Sequence, residues 1–312
     1  MKILILTPFY YGIGGAETFT QGLVEQLKKE HEVDICTIDV KGVWQGVGLR
    51  NFIIVFPRLL IECLKNIKRK RYDVIHAQGI ISALASAIIK QFTKRKIFLT
   101  LLALYDFKDW KGIKLNIVKW IFNNCDLIFV EGKNGEKDIE TISKKERRRI
   151  FFHWVNQEKF KPPQERDNEH IKILFVGRPI KEKGMHIIKE AEKILNDSKY
   201  EFIYIQDVSN DLLPSYYQMA HICVVPSLYS EGYCRVVAEA ASCGCAVIAS
   251  NRGSLLEMVG PFGWAIVPKP EQFAEAIQLV ARNLHRWSKM SYDYAKLNFS
   301  VKNAEVFLGE YR

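Results

Sequence analysis

Two glutamates eight positions apart, Glu231 and Glu239, are well suited to bind a polar ligand. Glu231 lies in the loop after an apolar run at 222–225, and Glu239 lies within a predicted helix over Val236–Ser242. This spacing is close to two helical turns, so Glu239 faces back towards the loop. A carboxylate beside the apolar stripe of a helix needs polar partners, and sugar or ribose hydroxyls are suitable ones. Taken singly, each glutamate also fits an ordinary surface carboxylate.

The residues between these glutamates begin the helix and are typical of an anion site. Backbone N–H groups at a helix start lack intrahelical partners and favour negative charge. The segment consists of Gly232, Tyr233, Cys234 and Arg235. We therefore expect it to contact a phosphate group of the same ligand.

A second loop carries two cations. Gly177 follows a predicted strand at Ile171–Val176, and Arg178 and Lys183 lie five positions apart in the loop after it. Arginine offers a planar fork of donors and lysine a compact charge, so both can converge on one diphosphate. Two ordinary surface cations are the alternative.

A glycine pair lies near the N-terminus. Gly14 and Gly15 fall between the first predicted strand, Lys2–Leu6, and a predicted helix at Glu17–Lys29. Glycines at such a junction let the backbone approach a phosphate. The pattern is not the dinucleotide fingerprint, because position 17 is glutamate where G-x-G-x-x-G requires glycine. A plain strand-to-helix turn is the alternative.

Short apolar runs alternate with amphipathic stretches along the chain. In the first half, strands are predicted at Lys2–Leu6, Glu32–Thr37, Phe52–Phe56, Val74–His76, Ile97–Leu101, Leu127–Val130 and Ile150–His153. A polar, proline-bearing linker at 161–169 is followed by predicted strands at Ile171–Val176, Glu201–Ile205, Ile222–Val225 and Ala246–Ala249. This alternation predicts an α/β protein with two doubly wound, Rossmann-like domains facing each other across a cleft, at 1–163 and 164–297.

Positive charge is concentrated in the first half. Residues 1–163 contain 28 Lys and Arg against 17 Asp and Glu, a difference of +11, whereas residues 164–312 contain 17 against 18, a difference of −1. The asymmetry suggests that the first half meets something anionic, with a solvated lysine-rich surface as the alternative. Nucleic acid is disfavoured, because no nucleic-acid-binding motif accompanies the charge.

The composition narrows the class of protein. A chain of 312 residues that is 48% hydrophobic and 26% charged is typical of a globular protein and not of a disordered one. Its seven cysteines include no Cys-x-x-Cys pair, which indicates reduced thiols, a cytoplasmic location and no structural zinc. The N-terminus lacks the pattern of a secretory signal, and no apolar run reaches about 18 residues. Any membrane contact is therefore expected to be peripheral, at the inner face.

The segment 230–250 resembles the E-x7-E signature of glycosyltransferase family 4, whose members are retaining nucleotide-sugar glycosyltransferases with the two-Rossmann GT-B fold. Three other segments resemble family motifs in the same order: a glycine loop at Gly14–Glu17, a strand at Val74–Ala77 and a diphosphate loop at 177–184. The C-terminal stretch 298–312 resembles the family segment that returns to the N-terminal domain, and we expect it to do so.

The resemblance implies catalytic roles for three residues. Arg178 and Lys183 would neutralise the departing nucleoside diphosphate, and Glu231 would contact hydroxyls of the donor sugar. It also implies that Glu239 binds the ribose of the donor. The donor-binding positions that the resemblance implies are Gly14, Gly15, Gly177, Gly232, Tyr233, Cys234, Arg235 and Glu239. Fixed positive charge beside the leaving group stabilises the transition state more than the ground state. The scheme requires no metal and no cofactor besides the nucleotide-sugar donor.

The sequence departs from the family pattern in three places. Leu102 stands where many members carry an active-site histidine, and the acceptor-side residues that would compensate are His76, Asp106 and Asp109, with a positional role favoured for His76. The usual Asn-Gly-Val-Asp before the linker reads His-Trp-Val-Asn at 153–156. Between Lys183 and the strand at Ile222–Val225 only one strand is predicted where two are usual, so the nucleotide base is not predicted.

The expected function is retaining transfer of a sugar from a nucleotide-diphosphate sugar to a glycan, a lipid-linked or another hydroxyl acceptor. A non-catalytic GT-B protein that binds a nucleotide sugar or serves as a partner subunit is the alternative, favoured by Leu102 and the short second domain. A dinucleotide oxidoreductase is disfavoured by the failed glycine fingerprint.

An amphipathic stretch at 59–71 ends in a basic cluster, and its aromatic neighbours in sequence are Phe56, Trp110, Trp120 and Phe122. Apolar and basic side chains together favour contact with an anionic membrane surface and hence a lipid-linked acceptor. The alternative is a helix that packs on the core and whose basic end is exposed to solvent.

Overall fold

The computed structural model describes residues 1–12, 14–38, 49–167 and 169–312. It divides the chain into two compact units. Unit 1 consists of Met1–Phe151 with Ala304–Arg312, and unit 2 consists of Phe152–Asn303.

Unit 1 is built on a six-stranded parallel sheet of order β2-β1-β3-β4-β5-β6. Its strands are β1 Lys2–Leu6, β2 Glu32–Cys36, β3 Val74–Gln78, β4 Lys96–Leu101, β5 Leu127–Glu131 and β6 Arg148–Phe151. The helices between them are α1 Gly15–Leu27, α2 Leu49–Arg69, α3 Gly79–Lys90, α4 Gly112–Asn123 and α5 Gly132–Ile139. The strand predictions are confirmed within one or two residues at every position except 52–56.

The predicted strand at Phe52–Phe56 is wrong, because these residues form part of α2. The aromatic and β-branched residues before Pro57 are typical of a strand. In the structure the helix continues through Pro57, and Val55, Leu59 and Cys63 are all buried. Their spacing of four residues places them on one helix face, so helical periodicity and not alternation governs this segment.

The C-terminal segment, Ala304–Arg312, completes the core of unit 1. The ring of Phe307 is fully buried and stacks on Phe129 of β5 at 4.3 Å between centroids. It also contacts Phe151 of β6 at 4.9 Å. The hydroxyl of buried Tyr311 lies 2.5 Å from Nδ1 of His76 in β3. Residues of the C-terminal segment therefore contact three strands of the sheet, β3, β5 and β6.

Unit 2 is built on a five-stranded parallel sheet of order β11-β10-β9-β7-β8. Its strands are β7 Ile171–Val176, β8 Tyr200–Ile205, β9 Ile222–Val225, β10 Ala246–Ser250 and β11 Trp264–Ile266. Its helices are α6 Met185–Leu195, α7 Leu213–Met219, α8 Arg235–Ser242, α9 Leu255–Val259, α10 Pro270–Arg282 and α11 Leu284–Asn298. Ile173 and Phe175 of β7 enter one core cluster and Leu174 enters the other, so helices cover both faces of the sheet.

The division between the units lies at Phe151/Phe152, before the boundary at 163/164 that the polar linker suggested. The segment in between belongs to unit 2 because it is bonded and packed there. The N–H of Val155 donates to the carbonyl of Phe299, and Phe160 packs on Tyr217. The guanidinium of Arg166 donates to the carbonyls of Cys243 and Gly244 at the end of α8. The C-terminal return begins at Ala304, after the predicted start at 298.

Within the described ranges, none of the helices combines the length and the apolar character needed to cross a lipid bilayer.

Candidate functional site

Lys183 and Glu231 meet at the carboxyl edge of the sheet in unit 2. Lys183 lies in the loop after β7 and Glu231 in the loop after the neighbouring strand β9. The Lys183 ammonium lies 2.6 Å from Oε1 of Glu231, and the side chains are only 16% and 7% exposed. The structure therefore brings together two of the three predicted catalytic residues as a nearly buried ion pair.

The two loops are held together by their backbones. The N–H of Leu228 donates to the carbonyl of Glu182 at 2.8 Å. Gly184 adopts φ +73°, and a Cβ there would lie 2.1 Å from the carbonyl oxygen of Pro226. Gly253 adopts φ +58°, and a Cβ there would lie 2.2 Å from the carbonyl oxygen of Glu231. Glycine is required at both positions because any side chain would separate the loops.

Two hydroxyls also bind the Glu231 carboxylate. The Ser227 hydroxyl donates to Oε1 at 2.5 Å, and the Tyr229 hydroxyl donates to Oε2 at 2.8 Å. The Lys183 ammonium lies 5.1 Å from the centroid of the Tyr229 ring, a cation–π contact. Ser227 and Tyr229 are not among the predicted site residues, although both lie within four positions of Glu231.

Charge and burial set the protonation states of this cluster. Burial opposes the charged form of Lys183, but the Glu231 carboxylate outweighs burial and raises the pKa of the ammonium above its usual value. Burial, followed by the charge of Glu231, raises the pKa of Tyr229 to about 12. At neutral pH the lysine is therefore charged and the tyrosine is a hydrogen-bond donor.

Arg178 is placed differently from Lys183. It lies in the same loop, is exposed, and forms no ion pair with any residue that the structure describes. Gly177 precedes it, and a Cβ there would lie 2.9 Å from the ring of Phe175. Lys183 is therefore paired within the protein, whereas Arg178 is accessible to an anion.

Glu239 is buried in α8 and bound on both carboxylate oxygens. Oε1 lies 2.9 Å from the Arg235 guanidinium, one helical turn before it. Oε2 accepts a hydrogen bond from the Tyr217 hydroxyl at 3.1 Å. Burial, followed by the charge of Glu239, raises the pKa of Tyr217 well above its usual value. The predicted position beside the core is confirmed, and Tyr217 is a partner that the sequence spacing did not indicate.

The start of α8 is largely occupied by contacts within unit 2. Cys234 is buried, and its backbone N–H donates to Sδ of Met258 at 3.1 Å. The ring of Tyr233 stacks on His153 at 4.0 Å with an interplanar angle of 11°. Burial, followed by the charge of Arg235, lowers the pKa of His153 well below its usual value. His153, the first residue of the His-Trp-Val-Asn segment, therefore has a neutral ring that packs on the start of α8. Gly232, in the loop before this helix, is half-buried.

The glycine pair of unit 1 begins α1. Gly14 is the N-cap residue, and its carbonyl accepts from both the N–H and the hydroxyl of Thr18. Gly15 is the first helical residue and is exposed. Exposed backbone therefore lies at the N-terminus of a 13-residue helix, where an anion is favoured. Ile13, in the same loop, lies outside the described residues.

Of the three acceptor-side candidates in unit 1, His76 is buried, whereas Asp106 and Asp109 are exposed. His76 is fully buried, with Nε2 at 2.6 Å from the Thr100 hydroxyl and Nδ1 bound to Tyr311. Burial lowers the pKa of His76 to about 3, so its ring is neutral. His76 thus fixes the C-terminal segment and is closed to a substrate in this structure. Asp106 is exposed, with φ 51°, in the loop after β4.

That loop is fixed by a carboxylate that the sequence analysis did not single out. Asp138 of α5 accepts backbone hydrogen bonds from Tyr105 at 2.7 Å and from Phe107 at 2.8 Å. Leu102, half-buried, begins the loop. Among the described residues there is also no group of three or more His, Cys, Asp or Glu side chains arranged to hold a metal ion.

Two family models match the chain, one in each half. The model described as Glycosyltransferase Family 4 matches residues 13–158, and the model described as Glycosyl transferases group 1 matches residues 153–283. A relative from Klebsiella pneumoniae, described as an uncharacterized 41.2 kDa protein in the cps region, is 25% identical over 269 residues, covering 74% of this chain and 75% of its own.

Solved structures show the same fold. Sucrose-phosphate synthase from Thermosynechococcus elongatus has a TM-score of 0.83 at 19% identity, covering 99% of this chain and 98% of its own. Anabaena HepE in complex with UDP-glucose has a TM-score of 0.75 at 15% identity, covering 100% and 99%. Two family matches in chain order and two parallel sheets with alternating helices agree on one conclusion: the chain combines a Glycosyltransferase Family 4 domain with a Glycosyl transferases group 1 domain and is a glycosyltransferase of the GT-B type.

Proposed function

We propose that this protein transfers a sugar, with retention of configuration and without a metal ion, from a nucleotide-diphosphate sugar to a hydroxyl acceptor on a glycan or lipid-linked glycan. The observation that carries the proposal is the Lys183–Glu231 pair at the carboxyl edge of the sheet in unit 2, with exposed Arg178 in the same loop as Lys183. Ligands of open parallel sheets bind at this edge.

The chemistry requires positive charge where the diphosphate leaves. As the glycosidic bond to the diphosphate breaks, negative charge grows on the departing oxygen and positive charge grows on the sugar ring. Lys183 would stabilise the negative charge, because a fixed cation in a nearly buried site acts more strongly than in water, and exposed Arg178 would supply a second positive charge. Glu231 lies beside Lys183 and would accept hydrogen bonds from hydroxyls of the donor sugar. Glu239 and Arg235 would flank the nucleoside.

The class of donor is supported by the structural relatives. A structure of Anabaena HepE contains UDP-glucose, so this fold accommodates a uridine nucleotide sugar. We propose a nucleotide-diphosphate sugar as the donor of this protein also, and a UDP-sugar is the first to test. The acceptor remains the broader class of sugar hydroxyls, free or linked to a lipid.

The donor is identified by incubating the protein with UDP-, GDP-, ADP- and dTDP-sugars and measuring slow hydrolysis of each. We expect hydrolysis of one nucleotide sugar, which identifies both the base and the sugar of the donor. Proton NMR of the released sugar should show the same α or β configuration as in the donor. Lys193→Ala is a matched control, because Lys193 pairs with Glu190 on an exposed helix surface. Thermal stabilisation by a nucleotide without hydrolysis or transfer would contradict catalysis and favour the non-catalytic binder.

We also propose that unit 1 rests on an anionic membrane surface. On α4, Ile113, Ile117 and Trp120 are 79%, 44% and 39% exposed, and their spacing of four and three residues places them on one helix face. Three exposed lysines flank this stripe at Lys111, Lys114 and Lys119. Apolar side chains with an interfacial tryptophan and surrounding lysines suit a bilayer with acidic headgroups.

The amphipathic stretch in α2 also presents apolar and basic side chains to solvent. Its exposed residues are Ile61, Leu64, Lys65, Lys68 and Arg69, while Leu59 and Cys63 face the core. Phe122, named with this stretch in the sequence analysis, is 1% exposed and belongs to the core. The exposed face of α4 therefore carries more of the proposed contact than the basic helix does.

Ile117→Asp is expected to weaken binding to vesicles containing phosphatidylglycerol by roughly 10-fold or more, because burial of the isoleucine is lost and a like charge is added. Co-sedimentation with phosphatidylglycerol and with phosphatidylcholine vesicles measures the effect. Leu256→Asp is the matched control, since Leu256 is 62% exposed on α9 of unit 2. Equal loss in both variants, or equal binding to both kinds of vesicle, would contradict the proposal.

A further inference from the structure

The Glu231 carboxylate has partners on both oxygens before any donor is bound. Oε1 receives the Lys183 ammonium at 2.6 Å and the Ser227 hydroxyl at 2.5 Å. Oε2 receives the Tyr229 hydroxyl at 2.8 Å. A carboxylate that must contact sugar hydroxyls is therefore oriented by its own protein first.

Binding of the proposed donor would change this arrangement. A diphosphate competes with Glu231 for the Lys183 ammonium, because it carries more negative charge than a single carboxylate. Glu231 is 7% exposed on its side chain, so weakening that ion pair leaves a nearly buried anion. Such an anion is costly unless hydrogen bonds remain on it. The two hydroxyls are the described groups that stay in place.

We infer that Tyr229 is a positioning residue that keeps the Glu231 carboxylate oriented towards the donor sugar when Lys183 turns to the diphosphate. The inference rests on the proposed function, because it concerns the same donor site. Tyr229 acts through Glu231 and does not itself touch the reacting atoms.

The surrounding contacts explain why the tyrosine suits this role. Its hydroxyl is held on the oxygen that Lys183 does not use, so the hydrogen bond survives movement of the lysine. Its ring lies under the ammonium at 5.1 Å, which limits where Lys183 can go. Ser227 braces the other oxygen, and its carbonyl accepts a hydrogen bond from Ser250 at 2.6 Å. With its pKa raised to about 12, Tyr229 keeps its proton at neutral pH.

The test compares two ligands in Tyr229→Phe, which removes one oxygen atom and keeps the ring. Dissociation constants are measured by calorimetry for the nucleoside diphosphate alone and for the matching nucleotide sugar from the donor panel, starting with UDP and UDP-glucose. We expect the diphosphate to bind within about twofold of the wild type, and the nucleotide sugar to bind about 10-fold more weakly, in line with a lost hydrogen bond to a charged group. The turnover number should fall by at least the same factor.

Tyr204→Phe is the matched control, since the Tyr204 hydroxyl donates to Glu192 at 2.7 Å on the surface of unit 2. It should change neither dissociation constant. Melting temperatures of both variants check that each is folded. Equal weakening of both ligands in Tyr229→Phe, or no weakening of either, would overturn the inference while leaving the proposed function intact. Failure of the wild type to bind any nucleotide sugar would overturn both.

Discussion

Lys183→Ala is expected to lower the rate of sugar transfer by roughly 10³-fold, because it removes a fixed cation from the leaving diphosphate. The same change leaves Glu231 without its cation in a nearly buried site, which should destabilise unit 2 by about 3–5 kcal/mol. Activity with the identified donor and denaturant unfolding measure the two effects. Lys193→Ala, on an exposed pair, should change neither.

A double substitution separates the two effects. In Lys183→Met with Glu231→Gln both charges are removed, so the buried anion no longer destabilises the fold. We expect most of the lost stability to return and the activity to stay low. If activity recovered together with stability, Lys183 and Glu231 would both be structural residues, and their proposed roles on the diphosphate and on the donor sugar would be wrong.

Phe307→Ala is expected to destabilise unit 1 by about 3–5 kcal/mol, because it opens a cavity in a fully buried aromatic cluster. Phe307 contacts Phe129 and Phe151 on two strands of the sheet. Urea unfolding measures the change, and hydrogen exchange at β3 and β5 should accelerate with it. Val301→Ala, at a side chain 44% exposed, is the control and should change stability by less than about 0.5 kcal/mol. A small effect of Phe307→Ala would show that the C-terminal segment is dispensable for unit 1.

Most of the fold was predictable because local pattern and final structure agree. Nearly every buried strand is a short apolar run followed by a helix, which is the signature of parallel α/β units. The pattern failed at 52–56, where β-branched residues before Pro57 resembled a strand and the tertiary core selected a helix. It also missed β11, Trp264–Ile266, which is too short to show alternation.

The candidate site was predictable only where spacing carries information. Lys183 and Glu231 follow neighbouring strands, so topology alone brings their loops to one edge. Tyr217 and Glu239 lie 22 positions apart, and no periodicity links them. His76 presents the hardest case, because its partner Tyr311 is 235 positions away. A polar residue in a strand indicates a partner, but sequence alone cannot say whether that partner is a ligand or the distant end of the same chain.

The placement of the C-terminal segment also bears on the order of events during protein synthesis. Unit 2 is a continuous stretch, Phe152–Asn303, and can fold as soon as those residues have left the ribosome. Residues Met1–Phe151 of unit 1 are translated before unit 2, yet their aromatic cluster lacks Phe307 and Tyr311 until those two residues have been made. The first half of the chain therefore remains incompletely packed while the second half is made. Chaperones consequently have the longest access to the half that is synthesised first.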